Sequence, residues 1–258
     1  MIHKRLVLLF VLLHLILGCD ARAMSAEECK VAIASGTTPL VELKQPCQGS
    51  GYFELMMATE ELNRGDLQSA RQWVDAGLKA DKVDAMPFYE IEFSVNVAAK
   101  TPELNRRMAE KFIEDHPEDA AGHLLMGKYF AVSGDLTESI RHLEQAAALR
   151  GEVAAYGANK LLVSGYWDAD RLADGAAAFD RAEAFLPEAI YNDWTLTKMA
   201  SASHFLSGNP ARAQAILQHQ LERHPESSED KHVHALVRDL GKAGYGVKVP
   251  GVSRDGDG

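Results

Sequence analysis

Residues 120–153, AAGHLLMGKYFAVSGDLTESIRHLEQAAALRGEV, decide the fold class of this chain. Small and apolar residues recur at helical spacing on both sides of Gly134-Asp135, which is a typical turn sequence. These positions are Met126, Gly127 and Phe130 before the turn, and Ser139, Leu143 and Ala146 after it. The stretch predicts two helices joined by a short turn, because small residues allow helices to approach while large ones fill the space between them.

The same turn and offsets recur elsewhere in the chain, where Gly65-Asp66 and Gly208-Asn209 match Gly134-Asp135. One equivalent position of the units is occupied by Ala70, Ser139, Gly175 and Ala213. Four residues later, each unit has a large apolar residue: Val74, Leu143, Phe179 and Leu217. Three residues further on, the units have Gly77, Ala146, Ala182 and Gln220. The repeating unit is about 34 residues long, a period typical of helix-turn-helix repeats. The pattern predicts an all-α array in which each helix pair buries its apolar side against its neighbours.

Repeats of this length and pattern resemble the tetratricopeptide repeat (TPR) family. The expected units cover residues 51–84, 86–119, 120–153, 156–189 and 194–227. The second unit departs most from the pattern, because Asn105 and Phe112 stand where small residues are expected. The resemblance implies an all-α, right-handed superhelical solenoid of about five units, whose first helices line a concave groove that binds peptides or partner helices.

The C-terminal residues predict a helix followed by an unstructured tail. Val233, Leu236, Val237 and Leu240 have helical spacing, which indicates a capping helix over residues 228–242 that closes the end of the array. Gly, Pro and Asp dominate afterwards. We therefore expect residues 243–258 to be a disordered tail.

Three lysines occupy groove-facing offsets of successive units, which is unexpected in an acidic protein. They are Lys128, Lys160 and Lys198, and Asn159, Trp167 and Phe205 complete the predicted partner-binding groove. In some TPR proteins groove lysines and asparagines hold the terminal carboxylate of a peptide, so the resemblance allows that role here. The alternatives are that the lysines only solvate a helix face and that the aromatic residues belong to the core.

The first residues predict export. Met1–Arg5 is basic, residues 6–17 are almost entirely apolar, and the run is too short to span a bilayer. Residues 1–18 therefore look like a signal peptide, and Ile16-Leu17-Gly18-Cys19 resembles the lipobox, whose cysteine is acylated with chains such as palmitate. The chain would then be a bacterial TPR lipoprotein of the cell envelope, facing the periplasm. Asp20 suggests inner-membrane retention, but inner and outer membrane stay open, as does ordinary cleavage after Ala21-Arg22-Ala23.

Export also favours a disulfide between Cys29 and Cys47, because these are the other two cysteines of the chain and disulfides persist in oxidising compartments. Both lie in an N-terminal tether, residues 19–50. Two cysteines without a nearby histidine do not complete a zinc site. His219, His224, His232 and His234 are close in sequence but lack the i, i+4 spacing of a ligand pair, so no metal site is expected.

Composition and motifs exclude several functions. Without Lys4 and Arg5 the mature chain has 25 basic and 37 acidic residues, a net charge of −12, which argues against nucleic-acid binding. It also disfavours adhesion of the protein body to anionic lipid, so membrane attachment would come from the lipid on Cys19. Zinc-protease, phosphate-loop and serine-hydrolase motifs are absent from the sequence. We therefore expect no catalytic residue, no cofactor and no small-molecule substrate.

The leading hypothesis is a non-catalytic, envelope-anchored scaffold or adaptor that binds a peptide or partner subunit during assembly of a pilus, secretion or outer-membrane system. A second hypothesis is an accessory protein that recruits or regulates an enzyme processing peptidoglycan or polysaccharide. A third, an enzyme with an unrecognised site, has no residue constellation to support it.

Overall fold

The computed structural model describes residues 23–80 and 84–249, and the described residues form helices and turns with one isolated β-bridge between Asp119 and Arg150. The helices belong to two compact units, which divide between Thr101 and Pro102. The predicted signal peptide and Cys19 lie outside the described residues, as do the last nine positions of the predicted tail. None of the described helices is both long and apolar enough to cross a membrane.

Within residues 23–80 and 84–101, the first compact unit contains five helices, which pack in sequence order. They are α1 (Ala26–Ser35), α2 (Leu40–Cys47), α3 (Tyr52–Arg64), α4 (Leu67–Leu78) and α5 (Met86–Ala98). Its core is formed by Ala58 of α3, Ala70 and Val74 of α4, and Phe88 and Ile91 of α5. Small residues on α3 and α4 therefore face the aromatic and branched residues of α5, as the repeat pattern requires.

A disulfide joins Cys29 of α1 to Cys47 of α2, with a Cα–Cα distance of 5.6 Å. Both cysteines are fully buried, and they pack with Leu43 and Phe53. The described part of the predicted tether, residues 23–50, therefore contains a pair of short helices that pack on α3.

The second compact unit begins with α6 (Pro102–Asp115). It continues with α7 (Ala120–Ser133), α8 (Leu136–Ala148), α9 (Glu152–Asp168), α10 (Leu172–Phe185), the short α11 (Pro187–Ile190), α12 (Trp194–Leu206) and α13 (Pro210–Arg223). A 3₁₀ helix (Pro225–Glu229) and α14 (Lys231–Lys242) follow. Consecutive long helices pack together, and α12 also contacts α9, α10 and α14.

The recurring turn has the same structure each time. Gly65, Gly134 and Gly208 have φ values of 81°, 82° and 90°, a left-handed conformation that favours glycine. The side chain of the next residue then caps the following helix: Asp66 accepts from Ser69 N at 3.0 Å, Asp135 from Glu138 N at 3.1 Å and Asn209 from Arg212 N at 3.2 Å. Each Gly-Asp or Gly-Asn pair therefore ends one helix and starts the next.

Close contact between paired helices depends on small residues, as α7 and α8 show. A Cβ atom on Gly127 would lie 2.7 Å from Leu143 Cδ2, and Ser139 Oγ donates to Gly127 O at 2.9 Å. The all-α class and the packing of adjacent helices expected from the sequence are confirmed.

Two boundaries differ from the sequence prediction. The predicted second repeat unit contains α5 and α6, which fall in different compact units. No Gly-Asp turn joins them, and the residue preceding Thr101, Lys100, takes a positive φ of 58° instead. The first helix of the fourth unit starts at Glu152, four residues before the expected start.

The disordered tail was predicted to begin at residue 243, but the first residues of this segment are packed in the structure. Val247 is buried in the cluster that contains Leu217 and Leu240, and Lys248 N donates to Gln218 Oε1 at 2.7 Å. The segment is rich in Gly and Pro, which led to the prediction of disorder, but Val247 and Tyr245 supply apolar surface to the buried cluster. Residues 243–249 therefore pack against the last helices.

Candidate functional site

An apolar cleft of about 400 Å³ lies at the C-terminal end of the second compact unit. The C-terminal end of α9, one face of α12 and one face of α14 form its walls. The lining residues are Trp167, Lys198, Met199, Ala202, Phe205, Leu206, His232, Ala235, Leu236 and Asp239. A cleft of this size with apolar walls and few charged groups is typical of sites that receive an apolar group.

Helical spacing explains why α12 presents these side chains together. Lys198, Ala202 and Phe205 lie at i, i+4 and i+7, and therefore share one face. The neighbouring face is buried, with Leu196 and Ala200 in the interior. Phe205 and Ala202 also pack against the buried cluster of α13 and α14, so the cleft floor continues into the core.

The α14 helix is amphipathic and forms the opposite wall. Its buried positions are Val233, Leu236 and Leu240, whereas His232 and Asp239 line the cleft from less buried positions. Leu206, at the end of α12, is 60% exposed although it is apolar. An apolar surface therefore extends from the cleft to solvent.

At the edge of the cleft, Lys198 forms an ion pair with Asp230. Lys198 Nζ lies 2.8 Å from Asp230 Oδ2 and 5.6 Å from the centre of the Trp194 ring. The hydrogen bond from Lys198, aided by a backbone hydrogen bond from His232 N, lowers the pKa of Asp230 to about 2. Asp230 is therefore ionised at neutral pH, and it offsets the charge of Lys198.

The structure brings together three of the six predicted groove residues. Trp167, Lys198 and Phe205 all line the apolar cleft. Lys128, on α7, and Lys160, on α9, are half-buried and do not line it.

Asn159 does not face a groove, so its predicted role in partner binding is wrong. Its side chain is fully buried. Its amide donates to Ala155 O at 2.9 Å and accepts from Arg181 Nε at 2.8 Å. Asn159 therefore connects α9 to α10 and is inaccessible to the carboxylate of a partner.

Two of the predicted lysines have aspartate partners. Lys160 Nζ lies 3.5 Å from Asp193 Oδ2, and Lys198 pairs with Asp230 as described above. Asp193 and Asp230 also cap helices, since they accept from Leu196 N and His232 N. Each lysine therefore contacts the capped start of a later helix, which reduces its ability to attract a partner's carboxylate.

A histidine pair in the second compact unit was not identified from the sequence. His123 Nδ1 and His142 Nδ1 are 2.9 Å apart, and the His142 ring stacks on Phe130 with centroids 5.5 Å apart. Burial, followed by the positive charge of Arg141 and the proximity of His123, lowers the pKa of His142 to about 4. No sequence motif indicated the pair, because its members lie on different helices.

Among residues 23–80 and 84–249, no set of three His, Cys, Asp or Glu side chains is placed so that it could hold a metal ion. Within this part of the chain, the His123–His142 pair therefore has no third ligand of these types.

The fold and the cleft define an all-α protein built from packed helix pairs. No family model matches the chain, and no curated protein matches it significantly. Among solved structures, the chain is similar to YrrB, described as a TPR protein with an unusual peptide-binding site. That similarity covers 80% of this chain and 98% of the other, with 15% sequence identity and a TM-score of 0.43.

Proposed function

We propose that this protein is a non-catalytic adaptor that binds an apolar segment of a partner protein in the cleft between α9, α12 and α14. The observation that carries the proposal is the cleft itself, which combines two aromatic residues, Trp167 and Phe205, with the aliphatic Leu236. Aromatic residues in a desolvated pocket are the residues most often responsible for binding energy at protein interfaces.

The charge distribution favours an apolar contact over carboxylate capture. Lys198 already pairs with Asp230, and Lys160 with Asp193. A partner's carboxylate would have to displace an aspartate that is held in place by a helix cap. We therefore assign the binding energy to the apolar lining and give Lys198 a role in positioning α14.

A crosslinking experiment tests this site. A photoreactive benzoylphenylalanine at Met199, in the cleft, should give specific adducts in living cells, whereas the same residue at Val132 should not. Val132 is a suitable control because it is 52% exposed on α7, away from the cleft. Ala202→Glu should abolish the Met199 adducts, since it places a charge on the cleft floor. Adducts that survive Ala202→Glu would contradict the proposed site.

We further propose that the adaptor is anchored in the bacterial cell envelope through a lipid on Cys19 and faces the periplasm. The support comes from the basic and apolar segments that precede Gly18-Cys19. The disulfide between Cys29 and Cys47 is compatible with an oxidising compartment. Cys19→Ser should move the protein from the membrane fraction to the soluble periplasmic fraction, and unchanged fractionation would disprove the anchor.

The role we propose in the envelope is assembly of a pilus, secretion or outer-membrane system. The accessory role, in which the cleft recruits a peptidoglycan- or polysaccharide-processing enzyme, makes a different prediction for the same crosslinking experiment. Mass spectrometry of the Met199 adducts should identify an assembly subunit in the first case and an envelope enzyme in the second.

A further inference from the structure

The first two helices, α1 and α2, form an antiparallel hairpin. The disulfide between Cys29 and Cys47 ties the start of α1 to the end of α2, and Met24 N also donates to Pro46 O there at 2.9 Å. The opposite end of the hairpin is the turn that joins the two helices. We call residues 31–41, which include this turn, the hairpin tip.

The hairpin tip contains no charged residue. Its sequence is VAIASGTTPLV, and Lys30 and Glu42 flank it, in a chain where 25% of the residues are charged. Moving a charged side chain out of water is costly, so a protein surface that enters lipid has to be largely uncharged. The tip meets this condition, although the whole chain has a net charge of −10.

Two valines give the tip an exposed apolar surface. Val41 is 80% exposed and Val31 is 61% exposed, and in the described part of the chain no other large apolar side chain is more exposed. Val31 lies two positions after the buried Cys29, and Val41 lies two positions before the buried Leu43. Two positions turn a helix by about 200°. Both valines therefore point away from the sides of α1 and α2 that pack on α3.

The length of chain between Cys19 and the hairpin indicates what covers this surface. Ser25, the N-cap of α1, lies six positions after Cys19, and six residues span at most about 20 Å. The ten residues of α1 form a helix about 15 Å long. A lipid on Cys19 would therefore keep the entire hairpin, including its tip, within reach of the bilayer surface.

We propose that the hairpin tip contacts the membrane that anchors the protein, with Val31 and Val41 among the headgroups and the upper acyl chains. This inference rests on the lipid anchor proposed above. Lys30 and Glu42 limit the depth of the contact, because charged side chains stay in the aqueous or headgroup region. Since the tip is uncharged, the contact does not require anionic lipid, in agreement with the acidic protein body.

Tryptophan fluorescence on vesicles of phosphatidylethanolamine and phosphatidylglycerol tests the contact. Val41→Trp places a reporter on the tip without a new cysteine, so the disulfide is preserved. An apolar surface at the interface lies about 5–10 Å into the headgroup and acyl boundary, where brominated acyl chains should quench the reporter. The wild-type signal is subtracted, since the chain contains Trp73, Trp167 and Trp194. Val132→Trp, on α7 and 52% exposed, is the control and should show no additional quenching.

A separate tether distinguishes failure of this proposal from failure of the lipid anchor. A hexahistidine segment in place of residues 1–19 holds every variant on vesicles that contain a nickel-chelating lipid, so acylation is not required. Brominated and plain vesicles contain the same amount of this lipid, which cancels its own effect on fluorescence. The fractionation of Cys19→Ser then tests the anchor, and the quenching tests the tip.

Two further variants locate the contact. Val31→Glu, combined with Val41→Trp, places a charge on the tip and should reduce the quenching, and it should fold because Val31 is exposed. Val132→Glu in the same reporter protein is the matched control and should leave the quenching unchanged.

Replacing phosphatidylglycerol with phosphatidylcholine should also leave the quenching unchanged. Equal quenching of Val41→Trp and wild type would overturn the proposal and leave the tip to a partner protein or to solvent. Quenching that Val31→Glu does not reduce, or that disappears without anionic lipid, would likewise contradict an apolar contact.

Discussion

Lys198 Nζ lies 2.8 Å from Asp230 Oδ2, and this contact connects a lining residue of the apolar cleft with a residue outside its lining. The pair also ties α12 to the start of α14, because Asp230 caps that helix. Since α14 forms one wall of the apolar cleft, the pair affects the proposed binding site.

We predict that Asp230→Asn lowers the free energy of unfolding by about 1 kcal/mol and Asp230→Ala by about 2 kcal/mol, because Asn keeps the cap while Ala removes both cap and charge. Urea denaturation at pH 7 measures the free energy of unfolding of both variants. Asp135 caps α8 through Glu138 N, so Asp135→Asn, the control, should change stability by less than about 0.5 kcal/mol. A loss for Asp230→Asn no larger than that of the control would contradict a stabilising ion pair.

Asp230 also makes the stability of the protein depend on pH in the acid range. Its folded-state pKa, about 2, is below the usual 3.8, so the native state gains stability above pH 3.8 and loses it as the pH falls towards 2. Lys198→Met should reduce this dependence, because Lys198 is the main cause of the lowered pKa. Unfolding measured at several pH values between 5 and 2 checks this.

The buried His142 predicts a second pH dependence, in a higher range. Its pKa is about 4 in the folded protein against 6.5 when unperturbed. Between these values the unfolded chain binds more protons, so stability should fall by about 2–3 kcal/mol as the pH drops from 6.5 to 4. Arg141, His123 and Glu138 are the charged or titratable groups that influence it.

His142→Phe should flatten the curve between pH 6.5 and 4, because Phe can stack on Phe130 without binding a proton. His234→Gln, at an exposed position of α14, is the control and should leave the slope unchanged. An equal slope in wild type and His142→Phe would show that His142 does not carry the effect.

Loss of the disulfide should destabilise the first compact unit. Cys29 and Cys47 are 18 positions apart, and closing a loop of this size contributes about 3 kcal/mol. In the double variant Cys29→Ser/Cys47→Ser, hydrogen exchange should accelerate in α1–α3 and stay unchanged in α12–α14. Reductant should have no further effect on this variant. Equal acceleration in both units would contradict a local role.

The contact between Gly127 and Leu143 predicts a cost for even one methyl group. Gly127→Ala places its Cβ 2.7 Å from Leu143 Cδ2. We expect the free energy of unfolding to fall by about 1–3 kcal/mol, because the Leu143 side chain or its helix must shift. Gly241→Ala is the matched control in α14, where the methyl group meets no atom within 4 Å. Gly241→Ala should raise the free energy of unfolding by up to about 1 kcal/mol, because alanine has a higher helix propensity than glycine. Similar melting temperatures for the two variants would refute the packing argument.

The helix pairs could be predicted because their signals are local. Gly134 and Asp135 specify the end of one helix and the start of the next, and Ser139 and Leu143 follow at fixed offsets. The division near Thr101 was harder to foresee, since it depends on which of several neighbours each helix contacts.

The site was only partly predictable, because it depends on contacts between distant residues. Asn159 was assigned to the groove from its position beside Lys160, yet adjacent residues point about 100° apart on a helix. Its spacing from Ala155 and Leu162 could have placed it in the core. The contribution of α14 to the cleft could not be inferred, because α14 was assigned only the role of a cap.

The pairing of Lys198 with Asp230 has a consequence for how this chain can evolve. The two residues are 32 positions apart, close to one repeat length, and both side chains are fixed to helices. An insertion or deletion between them that moved the start of α14 would break the ion pair and the cap and reshape the apolar cleft. Length changes should therefore be accommodated only where the added residues form a separate turn, as the short α11 does between Lys160 and Asp193.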